Sequence, residues 1–307
     1  EIRFWVVAPG EQAEDRVASA REVVERIAAS CTRFDPDSAL MRANAEGRSW
    51  SVVPQECFDA IRAAYDAYEL TEHLFDPRVL RVLTAYGYDR SLPFDTRSLQ
   101  LPEAPVQSPH RRSLRGRSWK PRFDADRLAV RVGQEPIDLG GIGKGLAVRW
   151  ASQELAGAGE AALVEAGGDV MALGAGPDRD GWMIAVENPV GGDEPIAVLR
   201  LTDRAASTSS TRVRSWTVGE QQVHHIVDPR TRESAHADLR SVTVVGDDTA
   251  IAAVGSKSLF IVGRAGIRAR VAAKASPPAG LWPPSSQSST CGAEAASGPR
   301  RRRCIRA

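Results

Sequence analysis

The sequence predicts an α+β fold, a single domain with a mostly antiparallel sheet and flanking helices. Three observations predict it. Amphipathic helical stretches fill the first quarter of the 307 residues. Short apolar runs of strand character crowd the second half. Two of these runs, in AALVEAGGDVMALG, are joined by Gly167-Gly168, which is a hairpin signal.

The elements follow in order. Residues 2–8 read as a strand. From Asp15 to Cys31, Val17, Ala20, Val24, Ile27 and Cys31 fall on one helical face. RFDPDSALMRANAEG reads as a polar loop. Pro54 to Leu70 is a second amphipathic helix, with Phe58, Ile61, Tyr65 and Tyr68 along one side. Segment 91–121, rich in Pro, Ser and Arg, reads as a long surface connection. RLAVRVG is a strand, and a helix is expected over about 144–157. After the hairpin, WMIAVENP and IAVLRLT are strands, HHIVDPRT ends at a Pro turn, LRSVTVVGDD is a strand, and Thr249–Val262 is a helix. The Thr208–Thr211 hydroxyls read as a turn.

Bulk properties exclude several classes. A net charge of +1 gives no global pull toward nucleic acid or anionic membrane. No apolar run approaches the roughly 20 residues that span a bilayer, and no signal peptide is recognised. The opening EIRFWVV reads as a strand already under way, so upstream residues are expected. Cys31, Cys57, Cys291 and Cys304 lack C-x-x-C spacing, which argues against a zinc site or a disulfide framework. Residues 264–307 have the composition of a disordered tail, and Arg300–Arg303 is read as incidental rather than as a nucleic-acid patch.

DLGGIGKGLAVRWA, from Asp138 to Ala151, carries the first chemical signal. It fails both common glycine-loop patterns. Gly145 after Lys144 removes the hydroxyl of a Walker A loop, and Gly141, Gly143 and Gly145 give G-x-G-x-G rather than G-x-G-x-x-G. Glycines ahead of a helix still let a backbone approach an anion at a positive dipole end, with Lys144 adding a point charge. A plain strand-to-helix turn with a solvated lysine fits the residues equally well.

An ordered set of motifs narrows this. RFDPDSALMRAN, LFDP, AYGY, DLGGIGKG, ALVEAGGDV, W-x-I-A-V-E-N-P, STSST, HHIVDPRT and a final A-x-x-x-S-L-F helix run in register over residues 2–263. In this order the chain resembles the ApbE family of FAD:protein FMN transferases. The resemblance implies a magnesium-dependent transfer of FMN from FAD to a threonine of a partner protein, through a phosphoester bond and with release of AMP. It implies FAD and an acceptor protein as partners, the acceptor a membrane redox subunit, with work at the outer face of the cytoplasmic membrane. No nucleic-acid role is expected.

The resemblance also assigns residues. His225 is the expected proton acceptor, since a positioned histidine suits general-base work, while His224 would point elsewhere. Asn44, Leu74, Phe75, Asp76, Asp138, Lys144, Thr208, Ser209 and Ile226 are expected around FAD. Gly141 is expected to turn a backbone carbonyl to the metal. Asp228 is read as either orienting its loop or forming a plain Asp-Pro turn.

The final helix departs from the family. Anchored on Leu259-Phe260, Ala253 stands where the family has a metal-binding aspartate and Lys257 where it has a threonine. Positions i and i+4 share a helix face, and magnesium takes hard oxygen ligands. Three readings follow: an ion held by Gly141, Asp138, phosphate and water; Lys257 in place of the metal's charge; or FAD bound and not processed. The alternatives to transfer are therefore a FAD-binding protein without activity and a FAD pyrophosphatase.

Overall fold

The computed structural model describes residues 1–94, 99–101, 118–275 and 304–306. The elements in chain order are β1 (Arg3–Pro9), α1 (Ala13–Cys31), α2 (Ala39–Glu46), β2 (Ser51–Val52), α3 (Gln55–Leu70), α4 (Leu80–Ala85), β3 (Gln100–Leu101), β4 (Arg122–Asp124), β5 (Ala129–Arg131) and α5 (Gly143–Leu155). There follow β6 (Gly159–Ala166), β7 (Asp169–Leu173), β8 (Trp182–Val186), β9 (Ala197–Leu201), β10 (Arg204–Ser210), β11 (Ser215–Val218), β12 (Gln221–His224), β13 (Val227–Asp228), β14 (Glu233–Ser234), β15 (Ser241–Gly246), α6 (Thr249–Ala275) and β16 (Cys304–Arg306).

The principal sheet has six antiparallel strands in the order β15-β10-β7-β6-β1-β16. Its centre is the predicted hairpin. Gly167 and Gly168 adopt φ values of 52° and 91°, which side chains rarely tolerate, so the turn closes and Ala166 pairs with Asp169. Smaller sheets flank it, and the pairing of β3 with β11 is parallel. The expected α+β architecture is the one observed.

Helices α1, α5 and α6 pack side by side, with α5 between the other two. Gly145 explains how closely they approach. A Cβ on it would lie 2.8 Å from Ala250 Cα and 2.9 Å from the Thr249 carbonyl oxygen. One glycine of the suspected phosphate loop is thus required by a helix crossing. Gly143, at the start of α5, faces open space.

Four differences from the sequence reading have local causes. The stretch 33–47 is not all loop: Ser38 accepts from the Met41 N–H at 3.1 Å and caps α2. The Thr208–Thr211 segment is not a turn, because its first three residues complete β10 by pairing with Ser241–Thr243 of β15. Most of 91–121 lies outside the described residues, yet Trp119 within it is buried, its Nε1 donating to the Val132 carbonyl at 2.8 Å. The helix expected over Thr249–Val262 is observed and breaks at Gly263, with φ 69° and ψ −179°. Beyond the break a second helical stretch runs to Ala275, so residues 264–275 of the expected tail are helical, and 304–306 form an edge strand on β1. The remaining tail residues lie outside the described set. By length and composition Thr249–Val271 could cross a bilayer, which the run-length reading did not anticipate, but half of it is buried in the protein.

Candidate functional site

The site lies where the segment entering α5, the Gly167-Gly168 turn, the stretch after β12 and the face of α6 around Lys257 converge. Asp138 precedes the glycines and is positioned from two sides. Its N–H donates to the Pro77 carbonyl at 2.7 Å. One residue before it, Ile137 exchanges two hydrogen bonds with the Asn44 carboxamide, both 2.9 Å. Asn44 therefore holds the backbone beside Asp138, and its amide is committed there.

The carboxylate of Asp138 accepts from the Gly140 N–H at 3.1 Å and lies 3.5 Å from Arg33 Nε. The Arg33 guanidinium lies against two adjoining rings, Phe34 and Tyr88, 4.4 and 4.2 Å from their centroids. Burial pushes the Asp138 carboxyl up, against the pull of Arg33, the Gly140 N–H and Arg214.

Two turns of identical sequence border this region. In Asp76-Pro77-Arg78 the carboxylate accepts from the Arg78 backbone N–H and takes its guanidinium at 2.9 and 2.7 Å. In Asp228-Pro229-Arg230 the same three contacts recur, at 2.9, 2.9 and 2.7 Å. Both aspartates are buried. Asp76, expected at FAD, is thus occupied by its own arginine, and Asp228 likewise forms a self-contained turn.

Lys144, in the first turn of α5, spends its donors on protein. It reaches Asp169 Oδ2 at 2.5 Å, the Ala166 carbonyl at 3.2 Å and that of Gly167 at 3.4 Å. Asp169, only 2% exposed, also accepts from the Ser207 hydroxyl. Lys144 therefore fastens α5 to the hairpin turn. Ser209, two residues along β10, bonds to Ser256 of α6 at 2.8 Å, and Thr208, on the opposite face, bonds to Thr243 at 2.9 Å. Leu74 and Ile226 pack in one apolar cluster with Phe260. Phe75 is buried against Gly141, where a Cβ would meet its ring edge at 2.8 Å.

The two histidines separate cleanly. His224 Nε2 faces the Ala235 carbonyl at 3.0 Å and its Nδ1 accepts from the Ile226 N–H at 3.3 Å. Both ring nitrogens are satisfied, a structural role. His225 Nδ1 faces the Arg214 carbonyl oxygen at 3.3 Å. A carbonyl only accepts, so Nδ1 carries the hydrogen and Nε2 keeps the lone pair. Burial, then the cations of Arg214 and Lys257, hold the His225 pKa well below the ordinary 6.5, so the ring is neutral at physiological pH.

Lys257 projects from α6 over Gly141, its Cδ 3.8 Å from where a Cβ on that glycine would lie. Among the described residues its one hydrogen bond goes to the Ala253 carbonyl, at 3.2 Å. Burial brings its pKa down to about 8 despite the pull of Asp169, with Lys144 and Arg214 adding to the lowering.

The structure thus brings Asp138, Gly141, Lys144, His225 and Lys257 together. It commits Asn44, Asp76, Thr208 and Ser209 to protein partners and places Leu74 and Ile226 in the core. Sequence reasoning missed Arg33, Arg214 and Asp169. Asp169 stood in the quoted motif ALVEAGGDV, where its hairpin drew the attention.

The donor set does not fit magnesium, which wants an octahedron of oxygens. Ala253 offers a methyl group and is fully buried. Lys257 offers an ammonium. Asp138 is matched to Arg33, and Asp169 to Lys144 and Ser207. Among the described residues no three His, Cys, Asp or Glu side chains cluster as metal ligands do.

Comparison with known proteins gives a consistent result. The profile described as the ApbE family matches residues 1–278. A "FAD:protein FMN transferase" of Treponema pallidum is 30% identical over 242 residues, 74% of this chain and 66% of that protein. A Rhodobacter capsulatus protein of the same name is 29% identical over 73% of this chain and 42% of its own length. The chain thus spans less than two thirds of these relatives. Among solved structures, the ApbE protein of Thermotoga maritima aligns with a TM-score of 0.71 and 28% identity, covering 88% of this chain and 85% of that one. The flavin transferase ApbE of Vibrio cholerae aligns at 0.66 and 22% identity, over 87% and 84% of the chains, a likeness of fold.

Proposed function

The chain belongs to the ApbE family, and from that membership we propose that it transfers FMN from FAD to a threonine hydroxyl of an acceptor protein, releasing AMP. In the proposed reaction His225 Nε2 takes the hydroxyl proton. The threonine oxygen bonds to the phosphorus of the FMN half, the bridging P–O bond breaks, and AMP departs with the bridging oxygen. The observation that carries this reading is the His225 tautomer, which leaves a neutral ring with one unused acceptor nitrogen beside two cations. The FAD pyrophosphate is placed along the entry to α5, which no side chain caps, facing Lys257 and Arg214. Magnesium, which the family resemblance implies, carries no step here because the residues at its place do not fit it. The acceptor as a membrane redox subunit, and work at the outer face of the cytoplasmic membrane, rest on the resemblance alone.

A second reading, a FAD-binding protein without transfer, is favoured by Ala253 and Lys257. The deciding experiment incubates protein and FAD with a threonine-bearing acceptor peptide and separates the products. AMP with flavin covalently on the peptide supports transfer. Free FMN with AMP, made without the peptide, supports hydrolysis. Bound, intact FAD supports the second reading.

A further inference from the structure

Two cations in the site have no carboxylate of their own. Arg33 is matched to Asp138 and Lys144 to Asp169. Lys257 uses one N–H on the Ala253 carbonyl and has no ion pair among the described residues. Arg214 is fixed at the site by its backbone carbonyl, 3.3 Å from His225 Nδ1; its side chain has no hydrogen bond or ion pair among the described residues, and its positive charge bears on Asp138, His225 and Lys257. The site therefore carries an excess of two positive charges, the charge of one divalent cation.

The position of that excess matters as much as its size. The Lys257 stem lies against Gly141, in the segment that leads into α5. Lys144, which the sequence marks as the phosphate lysine, is bound to Asp169 and two carbonyls. Lys257 is thus the amine left with uncommitted hydrogens. A part-buried ammonium without a carboxylate is costly to keep, and a phosphate oxygen is the partner that would relieve it.

We infer that Lys257, together with Arg214, occupies the place of a divalent metal, so that this pocket takes the FAD pyrophosphate with no metal ion. This rests on the proposed reading that FAD is the ligand. It sets the specificity as well: the pocket selects a dianionic pyrophosphate by ammonium and guanidinium donors, and an added divalent ion meets like charge rather than ligands.

The test is FAD affinity, followed by quenching of flavin fluorescence, for the wild-type chain in excess EDTA and in millimolar MgCl2, and for Lys257→Met and Lys257→Arg in EDTA. The expected result is equal wild-type affinity in both buffers. Lys257→Met weakens binding about tenfold to a hundredfold, the scale of a lost charged hydrogen bond, and Lys257→Arg restores most of it. Magnesium-dependent tightening by the wild-type chain overturns the inference, as does Lys257→Met binding FAD as well as wild type. The wild-type comparison decides even if a variant misfolds. If FAD does not bind in either buffer, the FAD reading and this inference fall together. AMP release is scored separately: metal-free binding without AMP refutes transfer and leaves the inference standing.

Discussion

Lys144 and Asp169 meet at 2.5 Å across the gap between α5 and the β6–β7 turn, and the aspartate is 2% exposed. Removing the cation alone leaves a buried carboxylate whose remaining side-chain hydrogen bond among the described residues comes from Ser207. Lys144→Met is expected to cost about 3–5 kcal/mol, the usual scale for breaking a buried pair from one side. The double variant Lys144→Met/Asp169→Asn should recover a large part of that loss. Urea denaturation of the four proteins of the cycle measures the coupling, and strict additivity would show that the pair contributes no interaction of its own.

His225 is expected to matter to rate and not to ligand affinity. Replacing it with alanine should lower transfer about 10² to 10⁴-fold, with FAD binding retained, as read by AMP release and a parallel titration. The sign of the pH effect follows from its lowered pKa. The folded ring refuses a proton that the unfolded chain accepts near 6.5, so stability falls as pH drops below that value and levels off beneath the folded pKa. The wild-type rate should stay flat from pH 7.5 down through 6.5, and a rate halved near 6.5 would contradict the burial described.

Lys257 makes the opposite demand at the alkaline end. Its pKa falls from the ordinary 10.5 to about 8 on folding, which corresponds to about 3 kcal/mol of destabilisation while both states are charged. Because the unfolded chain binds the proton more tightly, wild-type stability should rise with pH between 8 and 10.5. Lys257→Met should therefore be the more stable protein at pH 7, and its advantage should vanish above 10.5. Thermal or urea unfolding across that range checks it; a variant less stable than wild type at pH 7 would argue for a structural lysine.

Gly145 and Gly143 separate packing from ligand approach. Gly145→Ala drives a Cβ into the α6 backbone at 2.8–2.9 Å and should cost about 1–3 kcal/mol. Gly143→Ala places its Cβ in open space and should leave stability unchanged. Far-UV circular dichroism during urea unfolding distinguishes the two, and equal effects would refute the crossing as the reason for Gly145.

The legible parts of the fold were those with period or punctuation. Gly167-Gly168 announced its hairpin because two adjacent positive-φ residues are needed there. Phe58, Ile61 and Tyr68 announced α3 because their spacing follows the helix. Helix α2 was hidden because eight residues after Asp-Pro give too little periodicity, although Ser38 stood at the cap. The hydroxyls of β10 read as a turn because their partners, Asp169, Thr243 and Ser256, are brought in by other elements. Of the site, Asp138, Lys144, His225 and the anomaly at Lys257 could be found from motif order. Arg33 and Arg214 could not. An arginine of the site looks like any other in sequence, and only the folded chain shows that Arg33 rests against two rings while the Arg214 side chain has no hydrogen bond or ion pair among the described residues.

Asn44 gives the segment before Asp138 a consequence for how the protein can evolve. Its side chain substitutes for a neighbouring strand, giving Ile137 one donor and one acceptor from a helix 93 positions away. Few side chains carry both functions, and glutamine carries them one carbon further out. Even conversion to aspartate, a single-atom change that chemical ageing can produce, would turn an oxygen toward the Ile137 carbonyl and set like against like. The tolerance of the site to sequence drift is therefore limited in part by a residue whose own amide is already fully engaged within the protein.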